Sequence, residues 1–434
     1  MMNAEAVRAK GVVGAGGAGF PTHVKLQSNP EIVILNAAEC EPLLHKDEQI
    51  LLNFPEQVVE GFRSILEMTG ASKGIIGIKA KHKDVISILE KLISPPMEIA
   101  KIGDFYPAGD EVTLVYLTTG RVIQPGQLPI SVGCLVQNVE TVFNIAAEKP
   151  TVEKFFTVAG AVEKPLTVKA PIGTSYEEIL AHFQIQTPHY IVRSGGLMMG
   201  EVVRDLKTVV AKTTGGLIVL PVDHYCATVY ERFSQPEKTV RIAKASCDQC
   251  SFCTDLCPRY LLGQPVRPET AMRNIMFSRE DLKLVHQGNE FCCECNLCTM
   301  YSCPEGLDPR GATVIEKRIS LASDNHWEGL PVKPHPLENF RKVPTKKLMQ
   351  RLDVLKFTDH APLENLKLEP PQVKLPLKQH IGAPAVPIVN VGDVVNKYDL
   401  IAEGKESVSA HVHASIDGKV VQINENEIVI ERIA

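Results

Sequence analysis

Cys247-Asp248-Gln249-Cys250-Ser251-Phe252-Cys253-Thr254-Asp255-Leu256-Cys257-Pro258 and, further along, Cys292-Cys293-Glu294-Cys295-Asn296-Leu297-Cys298-Thr299-Met300-Tyr301-Ser302-Cys303-Pro304 decide how this chain is read. Each stretch spells C-x2-C-x2-C and closes on a Cys-Pro pair. Four-thiolate zinc sites usually pair two C-x2-C units across a longer gap. Three cysteines in one tight loop are the spacing that holds three corners of an iron–sulfur cubane.

In bacterial two-cluster ferredoxins the fourth cysteine, just before proline, crosses over to the other cluster. Cys247, Cys250, Cys253 and Cys303 are therefore expected to hold one [4Fe–4S] cluster, and Cys292, Cys295, Cys298 and Cys257 the other. Two irregularities fall in the second set. Four residues rather than three precede its last cysteine, and Cys293 sits next to Cys292. Either thiol could be the first ligand; the C-x2-C-x2-C spacing favours Cys292. Cys40, Cys134 and Cys226 are scattered and read as small buried hydrophobes.

At 434 residues the chain has room for about three domains. It is 44% hydrophobic and 22% charged, an ordinary globular balance. A net charge of −5 argues against a nucleic-acid partner. The start, Met1-Met2-Asn3-Ala4-Glu5-Ala6, has no basic region leading into an apolar one, so no signal peptide is expected. Thiolates kept for metal imply a reducing compartment, the cytoplasm. No apolar run approaches the length of a transmembrane segment; Gly215–Val222 is too short.

The periodicity divides the chain into modules. In residues 1–152, Glu31–Asn36 and Gly74–Lys79 read as buried strands, Gln57–Met68 and Lys83–Leu92 as helices. That alternation predicts an α/β layer with a mostly parallel sheet. Residues 153–238 shift to strands (Phe155–Ala161, Leu166–Ala170) around a turn at Glu163-Lys164-Pro165, followed by a helix over Ser175–Phe183. Residues 239–322 carry the cysteines on short helices and loops. Residues 323–378, rich in Pro, Lys and Leu, read as an extended linker, and residues 379–434 as a small all-β module.

Gly14-Ala15-Gly16-Gly17-Ala18-Gly19-Phe20 contains G-x-G-x-x-G, although the residues before it look helical. Such a loop lets backbone N–H groups approach a phosphate or a flat ring. Three further motifs follow in order: Asn36-Ala37-Ala38-Glu39-Cys40-Glu41-Pro42, Tyr106-Pro107-Ala108-Gly109-Asp110-Glu111 and Gln137-Asn138-Val139-Glu140-Thr141. Together they resemble the flavin- and NADH-binding subunit of respiratory complex I. They resemble more closely the C subunit of the Rnf electron-transport complex, and most closely the cobalamin reductases of propanediol-utilisation microcompartments.

The resemblance implies a Rossmann-like domain with non-covalent FMN. Gly14, Gly16 and Gly17 would lie against the flavin, and Lys25 near the FMN phosphate or the nicotinamide nucleotide. Asn36 and Asn138 would hydrogen-bond flavin edges. Glu39 and Glu41 would shape the pocket, Gly109 and Glu111 would line the nicotinamide side, and Phe20 would stack on adenine. The chain departs from the complex I pattern at Ala38, Asp110 and Gln137, which bear on the NADH contacts. By the same resemblance Thr157–Thr174 opens a β-grasp (SLBB) module. The final residues resemble the barrel-sandwich hybrid of the Rnf protein, a relative of lipoyl and biotinyl carriers. Its turn near Ser409–Ser415 has no lysine to modify, and His411 and His413 read as structural.

The function so implied is NADH-dependent electron transfer. Hydride reduces FMN, and single electrons pass through two clusters to cobalamin. An adenosyltransferase and microcompartment shell proteins are the partners that go with it. Two other roles share these parts: an NADH:ferredoxin or flavodoxin-type oxidoreductase of another microcompartment, and an electron-relay subunit of a membrane complex.

Overall fold

Ile32-Val33-Ile34-Leu35 is buried on both faces, as a central strand of a parallel sheet must be. The computed structural model describes residues 3–233, 236–277, 288–322, 327, 329 and 331–433. In it, β1 (Ile32–Ala37), β2 (Lys73–Lys79), β3 (Met97–Ile102) and β4 (Cys134–Asn138) run parallel in the order β3-β2-β1-β4. Val33 and Leu35 face one core, with Phe62 and Ile65 of α1 (Pro55–Thr69) and Leu89 of α2 (Lys83–Leu92). Ile32 and Ile34 face the other, with Leu114 and Val115 of α3 (Glu111–Thr119). Pro55 opens α1 and Gly70, at φ 67°, ends it in the left-handed conformation that glycine adopts freely.

After β3 the chain returns across the sheet to place β4 beside β1. Ligands of parallel sheets bind in the crevice at the strands' carboxyl ends where the order reverses. Here that crevice lies between β1 and β4, with Asn36 and Asn138 directly paired in register. The glycine loop is not preceded by a strand: the segment before it is the helix Ala4–Ala9.

Residues 153–221 form a second, five-stranded mixed sheet. It contains β5 (Glu153–Gly160), β6 (Leu166–Pro171), β7 (Tyr190–Ser194), β8 (Glu201–Val203) and β9 (Gly216–Pro221), in the order β6-β5-β9-β7-β8. Its helix, Tyr176–Leu180, is shorter than the periodicity suggests. Ser175 and Glu178 close a reciprocal capping box at its start.

The stretch expected to be linker begins partly outside the described residues. Its described part is a strap. Val343–Pro344 pairs with Phe105–Tyr106, the helix Thr345–Arg351 buries Leu348 and Met349, and Glu364 N–H bonds Thr167 O at 2.9 Å. The strap is pinned at His45, whose ring bonds Asp359 at 3.0 Å and Glu48 at 3.4 Å. Burial works against charge on His45, but these two carboxylates outweigh it and hold the imidazole up to about 9. A raised histidine contributes stability in full below its unfolded pKa of about 6.5, and loses it as pH rises through the folded value. Asp359→Asn is therefore expected to lower the local stability of the strap by about 1 kcal/mol near neutrality, read by hydrogen exchange at the amides of Thr345–Arg351. Above about pH 10 that difference should vanish. A difference that does not change with pH would contradict the ion-pair account.

The linker boundary needs correcting. Gln372–Pro376 is a strand of the C-terminal module, antiparallel to Glu427–Arg432. Val373 and Leu375 point into the same core as Ile428 and Ile430, so the module starts before residue 379. That module is two small sheets, of four and three strands. It docks on the first domain: Arg8 donates to Gly404 O at 2.9 Å, and Lys212 Nζ to Gly11 O at 2.6 Å and His411 O at 2.8 Å. His411 is structural, accepting the Gly404 N–H at 3.0 Å. No helix among the described residues is long and apolar enough to cross a membrane.

Candidate functional site

The glycine loop folds over the switch crevice. Val13 bridges Pro21, and Gly14 N–H bonds Phe20 O at 2.9 Å, closing the loop on itself. Ala15 N–H anchors it to Thr141 Oγ1 at 2.9 Å. Gly16, Gly17 and Ala18 are exposed between buried neighbours. A Cβ at Gly16 would stand 3.2 Å from Asn138 Cβ, whereas beside Gly17 the space is open. This is a ledge of bare backbone above the two asparagines, and it fits a flat ring with a phosphate tail.

The asparagines are partly engaged by the protein. Asn36 Nδ2 donates to Gly109 O at 2.9 Å, and Asn138 Nδ2 to Asp47 Oδ2 at 2.7 Å. Asn138 Oδ1 also caps the helix Val139–Ala146. Each carboxamide holds a neighbouring loop through one Nδ2–H and has a second Nδ2–H besides. Lys25 lies in the crevice, 3.3 Å from both Glu111 Oε1 and Val136 O, so two predicted residues meet. Phe20 is half-buried at the end of the loop.

Glu39 accepts the Asp47 N–H at 3.1 Å. Burial, reinforced by the Asp47 carboxylate, pushes Glu39 up to about 7 against the pull of Lys46. Beneath it lies a buried network that sequence reasoning misses. Lys46 bonds Asp47 at 2.6 Å and Glu140 at 3.3 Å; Lys154 bonds Glu140, whose other oxygen takes the Phe155 N–H at 3.0 Å. Glu140 stands within a recognised motif, but its lysine partners carry no local signal.

Glu41 requires a second correction. Its two oxygens accept the Met198 and Met199 N–H groups, each at 2.8 Å, and it latches the turn of the second sheet to the first domain. Burial raises it to about 7 despite those donors. Gly196 is required opposite it: φ is 120°, and a Cβ would lie 2.7 Å from the carboxyl carbon. Glu39 and Glu41 do line one shared pocket, but its other walls include His45, Lys79, His82 and the strap, with no glycine-loop residue.

The cysteines form two sets. Cys247, Cys250, Cys253 and Cys303 all line one pocket, with Cys250 at the surface. In the other set Cys257 and Cys298 both lie beside Cys292, and Cys295 lies near Cys257 and Cys298. The two loops repeat one backbone shape. The residues flanking the middle cysteine, Gln249 and Ser251 around Cys250, Glu294 and Asn296 around Cys295, all have φ between 55° and 67°. Left-handed non-glycine residues in both loops alike mark a functional constraint, and they turn backbone N–H groups inward. Glu294 N–H reaches Cys292 Sγ at 3.4 Å, and Leu307 N–H reaches Cys303 Sγ at 3.4 Å. Burial raises the Cys253 and Cys292 thiols to about 12, so metal must displace tightly held protons.

Both irregularities have a structural account. The extra residue before Cys303 is absorbed by a π-helical turn over Cys298–Ser302, where Cys303 N–H bonds Cys298 O at 3.1 Å. Cys293 bonds the Cys295 thiol and the Arg259 guanidinium, and so stays beside the set.

One motif joins the crevice to the cysteines. Gly109 O receives Asn36, and the next residue, Asp110, bonds Arg259 at 2.8 Å. Tyr106, fully buried, donates to Cys295 O at 2.7 Å. Sequence reasoning singles out Gly109 and Glu111 in this motif and notes Asp110 as a departure from the complex I pattern, but passes over Tyr106.

Residues 7–147 match the Nuo51 FMN-binding domain family, residues 246–308 a 4Fe-4S dicluster domain and residues 351–432 the RnfC barrel sandwich hybrid domain. The first match contains the glycine loop and both asparagines, the second all eight cysteines. The chain is 41% identical over 438 residues to cobalamin reductase PduS of Salmonella typhimurium, covering 99% of this chain and 96% of that one. It is 40% identical over 438 residues to cobalamin reductase PduS of Citrobacter freundii, with coverages of 99% and 96%. The C subunit of the Na(+)-translocating ferredoxin:NAD(+) oxidoreductase complex of Acetobacterium woodii is 33% identical over 296 residues, 63% of this chain and 62% of that one. The chain belongs to the cobalamin reductase PduS family.

Proposed function

We propose that the chain takes hydride from NADH at the switch crevice and passes single electrons through two [4Fe–4S] clusters to a corrinoid. The acceptor would go from cob(III)alamin through cob(II)alamin to cob(I)alamin. The observation that carries this is the shared motif: residues 106–110 close the crevice on one side and grip the cysteine loops on the other. FMN, when bound, supplies the conversion of a two-electron hydride into single electrons.

The protein's part is positioning. Gly14, Gly16 and Gly17 present bare backbone, Asn36 and Asn138 one N–H each, and Lys25 a cation held by Glu111. Cys257, Cys292, Cys295 and Cys298 hold the cluster nearer the crevice. Cys247, Cys250, Cys253 and Cys303 hold the distal one, whose pocket is lined, among the described residues, by the cysteine domain alone and reaches the surface at Cys250. Electrons thus enter at the crevice and leave at Cys250. The second sheet, with its central parallel pair β5 and β9, supports the β-grasp assignment of residues 153–238. An adenosyltransferase and the shell of a cytoplasmic microcompartment are the partners that go with this chemistry.

The matched RnfC domain favours one second reading, an electron-relay subunit of a membrane complex. The two are separated by giving the purified, anaerobically reconstituted chain NADH and hydroxocobalamin. The corrin spectrum is expected to shift through the cob(II)alamin form. A spectrum that stays still while an artificial dye is reduced would remove the corrinoid, and failure to reduce even the dye would favour the relay.

A further inference from the structure

Arg259 follows Cys257 by two residues, in the short helix Pro258–Leu261. Its side chain is only 13% exposed, and one Nη donates to Asp110 Oδ1 at 2.8 Å. Asp110's other oxygen caps α3 through the Thr113 N–H at 3.0 Å. The Arg259 Nε is fully buried and meets no acceptor among the described residues. It belongs to a guanidinium that bonds the Cys293 thiol and lies near Cys295. A buried donor with no acceptor costs stability, more so when charged, so this geometry calls for an acceptor on the cysteine side. Arg310 and Lys317 both hold Glu294, and Lys317 also reaches Cys292 O; Arg310 Nε is likewise buried without an acceptor among the described residues, but Arg259 is the one placed against Cys293 and Cys295. Among the described residues the distal pocket has no Lys or Arg in its lining, but it does have Asp248, Glu269 and Glu305.

We propose that Arg259 is a positioning residue that donates its Nε–H to a sulfur of the cluster held by Cys257, Cys292, Cys295 and Cys298, raising that cluster's reduction potential while Asp110 holds the guanidinium in place. This rests on the cluster assignment above. Reduction adds one negative charge to the cluster; a buried cation and a hydrogen bond to sulfur stabilise it. Among the described residues the distal pocket shows no such donor, so the distal cluster serves as an internal control.

The test is an EPR-monitored reductive titration of the full reconstituted chain with dithionite, which needs neither NADH nor corrinoid. The two signals are assigned from Cys250→Ala, which removes a distal ligand. Arg259→Met is expected to lower the proximal midpoint and leave the distal one in place. Arg259→Lys keeps a cation but loses the planar fork, so it should lower the proximal midpoint less; it also carries the comparison if the Met variant fails to assemble. Asp110→Asn removes a carboxylate and leaves the donor, so the proximal midpoint should rise. The proposal is overturned if the Arg259 variants keep the wild-type midpoint. It is equally overturned if Asp110→Asn lowers it as they do, since the pair is then only a strut between domains. A wild-type chain that takes up no cubanes would instead overturn the cluster assignment itself.

Discussion

Cys295→Ala should prevent electrons from NADH reaching either cluster, with corrinoid reduction falling by more than about 100-fold, beyond the range seen when only a ligand's supporting partner is lost. Cys250→Ala should lose corrinoid reduction equally but leave the proximal cluster reducible. The difference follows from position. Tyr106 holds the Cys295 carbonyl against the crevice motif, whereas the Cys250 pocket opens to the surface. Flavin reduction by NADH, followed by its absorbance, should survive in both variants because no cysteine of either set lies in the glycine loop or the switch crevice. EPR after NADH addition reads the order directly. A proximal signal that persists in Cys295→Ala, or disappears in Cys250→Ala, would reverse the sequence of clusters.

Lys154→Met should cost about 3 kcal/mol, the lower end for breaking a buried ion pair. Lys154 and Glu140 are 1% and 0% exposed. Without Lys154, Glu140 and Asp47 would share Lys46 alone, leaving an uncompensated negative charge out of water. Lys46 and the Phe155 N–H soften the loss. Hydrogen exchange at the amides of β4 and the helix Val139–Ala146 reports it locally, which suits a multidomain chain whose global unfolding is not two-state. Adding Glu140→Gln should recover roughly half, because it removes the unpaired charge rather than restoring the pair. FMN retention should weaken in parallel, since Asp47 also holds Asn138. Wild-type protection in Lys154→Met would show the network to be idle.

Much of the fold is legible because its signals are local. The parallel strands betray themselves as apolar runs, and Lys83–Leu92 reads correctly to the residue because its periodicity is clean. The helix after Ser175 reads too long, since Ala181 and Phe183 continue an apolar pattern that the chain does not follow as helix. Gln372–Pro376 reads as linker because a five-residue strand flanked by prolines looks extended with or without a partner. Only the pairing with Glu427–Arg432 reveals it. Glu41 reads as a pocket residue because its motif suggests a carboxylate there, and the Met198 and Met199 amides that occupy it lie far away in sequence.

By itself the sequence determined the two cysteine runs, the glycine loop and the family likeness. Each resides in spacing along the backbone, and covalent spacing alone brings three thiols to one loop. Tertiary structure decided the rest. It showed which set of cysteines faces the crevice, how a π-turn absorbs the extra residue before Cys303, and where Arg259 points. These depend on contacts such as Asp110 with Arg259 or Tyr106 with Cys295, between residues of different domains, and such contacts leave no period or motif in the chain that makes them.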